Sequence, residues 1–431
     1  MNGESLLTNI TLPYGEAEIS LEIEESRLIG ILKPREKQGA TNPYLTARDA
    51  LQRPVDGNGL RSFAKRVQTV ALIADDYTRP TPAGPICRAV LDELNGLGVD
   101  DSHVTIIVAS GLHRPMVESE LRAKFTDDVL HRVEVVCHNA WDDNQNEQIG
   151  TTSRGTPVWI NKQVLKADVR ITVGLITGHF TAGYGGGPKT ILPGVSGYRT
   201  IFHNHAVLQA EPSSRIGVTK GNSGWEDMVE VLGLLGPTLA VNVVLNDGNE
   251  LVGAFHGKPV AAQEAGMELY HSIYAFKVKE RADIVIASAN PEHAYLDQCL
   301  KTIVPASLFA KDGGIRIIAS PCEEHLGPPF LRELYYDSLT PKWPSPEEYE
   351  EIMRSGKLKD VGDAAGILKL LQSNNSDLIL VCNPSFDEDL TNLKFMHRTS
   401  VQDALDDATR KLGSNSRVLI IPYGPITLPI P

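Results

Sequence analysis

Short apolar runs punctuate the chain, and most of them lead into a loop followed by a stretch with helical spacing. Thr69–Asp76 (TVALIADD), His103–Ser110 (HVTIIVAS), Val133–Asn139 (VEVVCHN) and Val169–Leu175 (VRITVGL) follow this scheme. Strands alternating with helices in this way predict an α/β fold with a largely parallel sheet. A second series, RADIVIASA from Arg281, IRIIASP from Ile315, LILVCNP from Leu378 and RVLIIPYG from Arg417, predicts a smaller second α/β domain. Asn9–Ile23 alternates apolar and polar residues around Pro13-Tyr14-Gly15 and reads as a hairpin. Thr238–Gly257 reads as another, with Asp247-Gly248 as its turn. Ala261–Lys279 has helical spacing and reads as a connector, dividing the chain into an N-terminal domain, 1–270, and a connector plus C-terminal domain, 271–431. Ser338–Asp360, rich in proline and charge, reads as a surface loop leading into a helix.

Composition narrows the class. The 431 residues, 42% hydrophobic, suffice for two or three domains of roughly 100–200 residues each. The apolar runs are far shorter than the ~20 residues that cross a membrane. The N-terminus lacks a basic segment followed by an apolar one, so no signal peptide is expected and the cytoplasm is the default location. Five cysteines without a CxxC pair argue against a disulfide framework and read as buried, inert thiols. A net charge of −13 excludes nucleic acid as a natural partner but not an anionic small molecule held in a local basic pocket.

The chemistry gathers where strands end, which is where open α/β sheets bind ligands. One run passes into DDYTRP, with Asp75, Asp76 and Arg79, and another into GLHRP, with His113 and Arg114. A third passes into ITGHF, with His179, and a fourth into NPEHAYLDQCLK, where Gln298 and Lys301 share a face if a helix has begun. Each has a plainer interpretation: Thr78-Arg79-Pro80 can equally start a helix, and a lone histidine after a strand is often structural. The run GYGGGPK around Lys189 matches neither GxGxxG nor GxxxxGK[ST], HNH at 203–205 lacks the spacing of a zinc HExxH, and there is no GxSxG. His256 and His325 have no recognisable partners and read as structural.

Taken in order, DDYTRP, GLHRP, GHFTAGYGGGPKTILPG, HNH and DQCLK resemble the lactate racemase family, whose members carry a nickel-pincer nucleotide. The likeness runs from about Ala74 to Lys301, and Ser400–Gly424 is similar to the family's last helix and strand. The resemblance implies two Rossmann-like α/β domains with the active site in the cleft between them. It implies that Lys189 forms a covalent thioamide with the cofactor, a pyridinium thioamide thiocarboxylic acid mononucleotide, and that Gly186 and Gly187 let backbone pack against it. It assigns His205 as the nickel ligand, the other donors being sulfur and carbon of the cofactor, and imidazole suits nickel. By the same resemblance His113 and His179 are a pair of general acid/bases, one for each face of the substrate. Arg79, Gln298 and Lys301 hold the substrate carboxylate, and Asp76 orients a neighbouring His or Arg.

The implied function is racemisation of a short-chain 2-hydroxy acid by proton-coupled hydride transfer, with cofactor-biosynthesis enzymes as partners. Pro188 and Asp297 stand where the family pattern has an arginine and an aromatic residue, which leaves the substrate as lactate or a close relative. The alternatives are a 2-epimerase of a longer hydroxy or sugar acid and a non-enzymatic carrier of the nickel nucleotide. A nucleotide-dependent dehydrogenase is weakened by the missing GxGxxG.

Overall fold

The N-terminal hairpin forms as its alternation predicts. In the computed structural model, which describes residues 6–57, 59–62, 69–327, 329–358, 361–373 and 375–430, β1 (Leu7–Tyr14) pairs antiparallel with β2 (Ala17–Glu24). Gly15, at φ +61°, makes the left-handed turn that other residues adopt reluctantly. The inward positions Ile10, Leu12, Leu21 and Ile23 bury against Ile284, Ile317, Ile379 and Ile420 of the C-terminal half. β3 (Leu28–Ile31) runs parallel to Val418–Ile421. Residues 1–34 therefore fold with 274–431 as one unit, and residues 35–273 form the other. This corrects the expected assignment of 1–34 to the first domain: the hairpin's apolar face finds its complement only on the later sheet.

In the 35–273 unit, α1 (Pro43–Gln52) precedes β4 (Val70–Asp75), α2 (Ala83–Gly96), β5 (Val104–Ala109), α3 (Glu118–Leu130) and β6 (Glu134–Cys137). The hairpin of β7 (Asn146–Thr151) and β8 (Pro157–Asn161) leads through α4 (Lys162–Lys166) to β9 (Val169–Leu175). The short pair β10 (Gly178–His179) and β11 (Gly183–Tyr184) follows, then α5 (Tyr198–His203), α6 (Ser223–Leu234), β12 (Thr238–Leu245), β13 (Leu251–Gly257) and α7 (Pro259–Tyr274). The sheet order is β13-β12-β9-β4-β5-β6, parallel except for β13. Strand alternation sends Leu72 and Ala74 to one core with Ile86, Val90 and Phe125, and Ala71 and Ile73 to another with Ile160, Ile191, Ile201 and Met228. With both faces covered, nearly every position of β4 and β9 is buried, hence the continuous apolar runs. The β12–β13 connection contains Asp247-Gly248, but Asn246 organises it: its Oδ1 accepts from the amides of Gly248 (3.1 Å) and Glu250 (2.9 Å).

The helix expected to run to Lys279 ends at Tyr274, because β14 (Ala275–Lys277) pairs with the far C-terminal segment β20 (Leu428–Ile430). β15 (Ala282–Ser288), α8 (Leu296–Ala306), β16 (Ala310–Ala319), β17 (Asp377–Val381), β18 (Met396–Arg398) and β19 (Val418–Ile421) complete this unit. Its all-parallel sheet runs β18-β17-β16-β15-β19-β3. Within the proline-rich stretch, Ser345 caps the helix Pro346–Arg354, exchanging hydrogen bonds with Glu348 in a capping box. Residues 359 and 360 of that stretch lie outside the described residues. Among the described residues no helix is long and apolar enough to cross a membrane.

Candidate active site

DDYTRP is a turn and not a helix start: α2 begins only at Ala83, without a side-chain cap. Asp76 Oδ1 accepts from the Thr78 amide (3.1 Å) and hydroxyl (2.5 Å), and the Arg79 amide donates back to the Asp76 carbonyl. Asp76 Oδ2 stands 2.7 Å from His113 Nδ1. Burial alone would raise this carboxyl, but the hydrogen bond and charge of His113, helped by Thr78 and Arg79, hold it well below the usual carboxylate range. An ionised Asp76 requires the proton on His113 Nδ1, so when the ring is neutral its lone pair is at Nε2, on a side chain that is 49% exposed. Arg79 donates to the Thr78 carbonyl and hydroxyl, both at 3.1 Å.

Asp75 faces other partners. Its Oδ2 accepts from Thr81 Oγ1 (2.5 Å) and the Leu175 amide (3.2 Å), and Lys124 Nζ of α3 lies 2.8 Å from Oδ1. Lys124 also donates to the Arg79 carbonyl at 2.7 Å, so one buried ion pair ties the Arg79 turn to the end of β9. Lys124→Met leaves Asp75 without its cation and should destabilise the fold by about 3–5 kcal/mol. Denaturant unfolding checks this, and an unchanged midpoint would show that the pair does not hold the turn.

After β9 the chain doubles back through β10 and β11, presenting the amides of Thr181 and Ala182 and the hydroxyl of Thr181 to His179 Nδ1 at 3.4, 3.1 and 3.2 Å. Two amide donors make Nδ1 an acceptor, so neutral His179 carries its proton on Nε2, the opposite tautomer to His113. The glycine run then packs on the sheet edge. Gln263 of α7 donates from Nε2 to the carbonyls of Gly185 (2.9 Å) and Gly186 (3.3 Å), and accepts from Trp225 Nε1 (3.0 Å). The Gly187 amide donates to Asn242 Oδ1 of β12 (3.1 Å). Gly186 and Gly187 have φ of +65° and +51°, and a Cβ there would meet Ile176 and Asn242 at 2.7 and 2.9 Å, or Gln263 at 2.8 Å. Glycine is needed because protein fills the space, which turns the following Lys189 into a fixed position.

Lys189 is partly exposed yet deeply set. Desolvation, then the charge of Arg79, lowers its ammonium to about 7 against the opposing pull of Asp76. Past it, α5 widens into a π-helical turn, Asn204–Leu208, an irregularity common at functional sites. Asn204 anchors that turn, donating from Nδ2 to Asp227 Oδ2 (2.9 Å) and the Gly224 carbonyl (3.0 Å). His203 meets Thr156 Oγ1 (2.8 Å), which itself donates to Asp227. His205 is buried, and burial followed by the charge of Lys189 lowers its imidazole to about 3, opposed by the Ile201 carbonyl. It is neutral at physiological pH, the form that ligates metals.

In the 35–273 unit Asp76 and Arg79, His113, and His179 thus follow the carboxyl ends of the adjacent strands β4, β5 and β9, Lys189 lies within reach of the charges of Arg79 and Asp76, and His205 within reach of Lys189. Gln298 and Lys301 belong to the other unit, in the first two turns of α8, with Lys301 ion-paired to Glu292. The profile for the lactate racemase N-terminal domain matches residues 14–217, and that for the lactate racemase C-terminal domain matches 277–427. The chain belongs to the lactate racemase family. Lactate racemases of Thermoanaerobacterium thermosaccharolyticum and Lactiplantibacillus plantarum are each 29% identical, over 97% and 96% of this chain and 98% of each relative. The structure of the T. thermosaccharolyticum lactate racemase apoprotein superposes with a TM-score of 0.89 at 27% identity, covering 98% of this chain and all of the other. A Thermotoga maritima protein shares the fold at TM-score 0.64 and 14% identity.

As a lactate racemase family member, an enzyme of the isomerase class, the chain holds its site with residues that motif reading passes over. Lys124, Gln263 and Asn242 are each distant in sequence from what they support. Lys124 lies in an ordinary charged helix turn, and the buried amides carry no local signature. His256 and His325 are structural: His256 Nδ1 meets the Ala240 carbonyl at 2.8 Å, and His325 stacks on Phe386.

Proposed function

We propose that the protein racemises a short-chain 2-hydroxy acid, lactate or a close relative, with a nickel-pincer nucleotide held through Lys189 and His205. Supporting this reading above all is the opposed tautomer pair: His113 offers a lone pair at Nε2 while His179 offers a proton at Nε2. A symmetric reaction needs one base and one acid in its resting state. The residues fit the group. Lys189 has an amine neutral enough near pH 7 to be a nucleophile, and His205 is a neutral imidazole. Among the described residues no cluster of three His, Cys, Asp or Glu could hold a metal. A nickel ion on His205 would therefore take further donors from the nucleotide. When bound, that group supplies a carbon able to accept and return hydride.

The chain's own residues do the rest. Arg79, whose guanidinium is a fork suited to a carboxylate, holds the substrate carboxylate. His113 Nε2 takes the hydroxyl proton of one enantiomer, and Asp76 stabilises the imidazolium that forms. His179 serves the opposite face, and the two exchange roles in the reverse direction. Cofactor-loaded protein incubated with separate D and L 2-hydroxy acids, polyhydroxy acids included, should yield the other enantiomer of one of them by chiral chromatography. Substrate deuterated at Cα should keep its label in the product, whereas loss of deuterium to water would mean carbanion chemistry and overturn the hydride reading.

A further inference from the structure

Three of the five cysteines, dispersed in sequence, meet in the unit formed by residues 1–34 and 274–431. Cys299 lies in the first turns of α8, Cys322 follows β16, and Cys382 immediately follows β17. The Sγ atoms of Cys299 and Cys322 are 3.6 Å apart. Ser320 Oγ stands 3.2 Å from Cys299 Sγ and donates to the His293 carbonyl at 2.9 Å. Cys322 has φ +46°, a left-handed conformation that residues other than glycine seldom adopt. Its backbone is held there, the amide donating to the His293 carbonyl and the carbonyl accepting from the His325 amide. Residues held in such strained conformations by their surroundings cluster at functional sites.

We propose that Cys299 and Cys322 form a peroxide-oxidisable dithiol at the start of α8, with Cys382 as a third thiol able to exchange into it. The sulfurs are already in contact at 3.6 Å, and a disulfide draws them to ~2.05 Å. Hydrogen bonds from Cys299 and Cys382 favour the thiolate at Cys322, pulling its thiol well below the usual range while theirs are pushed up. That thiolate attacks one oxygen of hydrogen peroxide. An S–O bond forms, the O–O bond breaks, and the departing hydroxide takes the Cys299 proton to leave as water. Cys299 sulfur then attacks the sulfenic sulfur: the S–S bond forms, the S–O bond breaks, and hydroxide leaves, becoming water on taking up a proton. Two thiols are oxidised and one peroxide is reduced to two waters. The three thiols are buried, and the residues that follow Cys322, Glu323 and Glu324, are exposed.

Cys299 is flanked by Gln298 and, two residues on, Lys301, so the bond also displaces the helix turn that carries them. This effect on turnover rests on the proposed function, whereas the bond itself does not. The test treats the full-length protein with graded hydrogen peroxide, alkylates the remaining thiols, and maps non-reduced peptides by mass spectrometry. The expected result is a Cys299–Cys322 cross-link, reversed by dithiothreitol, at doses that leave Cys87 and Cys137 alkylatable. Cys382→Ser should keep the cross-link, and Cys299→Ser should leave Cys322 as a dimedone-trapped sulfenic acid or bonded to Cys382. Turnover of cofactor-loaded protein should fall several-fold on oxidation and recover on reduction. Persistence of all five thiols, or oxidation without this link, overturns the dithiol. A link with unchanged turnover overturns the effect on α8, and a link in protein that turns over no 2-hydroxy acid upholds the dithiol while removing the racemase reading.

Discussion

His113→Ala and His179→Ala should each stop net racemisation in both directions, with losses of ~10²–10⁴-fold in turnover. Each direction needs a proton removed on one face and delivered on the other, so deleting either group breaks both. A half-reaction should survive from one enantiomer, opposite for the two variants, seen as a trace of 2-keto acid. Asp76→Asn should also lose much of the activity, because an amide cannot stabilise the imidazolium as the Asp76 carboxylate does. The His113 side chain is half exposed and its removal opens no core cavity, but it leaves the buried Asp76 carboxylate without its partner, so the variant should still fold while unfolding somewhat below the parent's midpoint. Turnover within a few-fold of the parent in either histidine variant would take that residue out of the reaction.

Lys189 in cofactor-free protein should be acylated by acetic anhydride with a midpoint near pH 7, read by peptide mass spectrometry. A lysine titrating at about 7 is roughly half neutral at that pH, against about one part in 3,000 for an ordinary lysine near 10.5. Arg79→Met removes a neighbouring cation and should move the midpoint up, while Asp76→Asn removes the opposing carboxylate and should move it down. The same shift has a consequence for stability. The folded value lies below the unfolded one, so between about pH 7 and 10.5 the unfolded chain binds more protons, and for this group stability rises with pH across that window. Lys189→Met should therefore raise the melting temperature at pH 7, with the advantage fading towards pH 10.5. Labelling of Lys189 with a midpoint near 10, like a surface lysine, would end its assignment as a pre-activated nucleophile.

The parallel strands and most of their boundaries are legible in the sequence because burial on both faces writes a continuous apolar run, as in Val70–Ala74 and Val169–Leu175. The candidate site residues are drawn from the same strand ends, since chemistry at the carboxyl ends of such strands collects in a few unusual motifs. What the sequence could not decide is partnership across distance. The hairpin of residues 7–24 has a clear apolar face, but only the packed fold shows that the face belongs on a sheet formed nearly 300 residues later. Thr78-Arg79-Pro80 satisfies the local rules of a helix start, yet the bonds that Asp76 makes with Thr78 and His113 hold it as a turn. Lys124, Gln263 and Asn242 look unremarkable because their task is set by what folding places beside them. The tautomers of His113 and His179 likewise depend on a carboxylate and on backbone amides aimed at one ring nitrogen. Even the three cysteines are inert by spacing and adjacent only in space. Residue type and periodicity are local properties, whereas hydrogen-bond partners, desolvation and strain arise from neighbours that only the tertiary structure supplies.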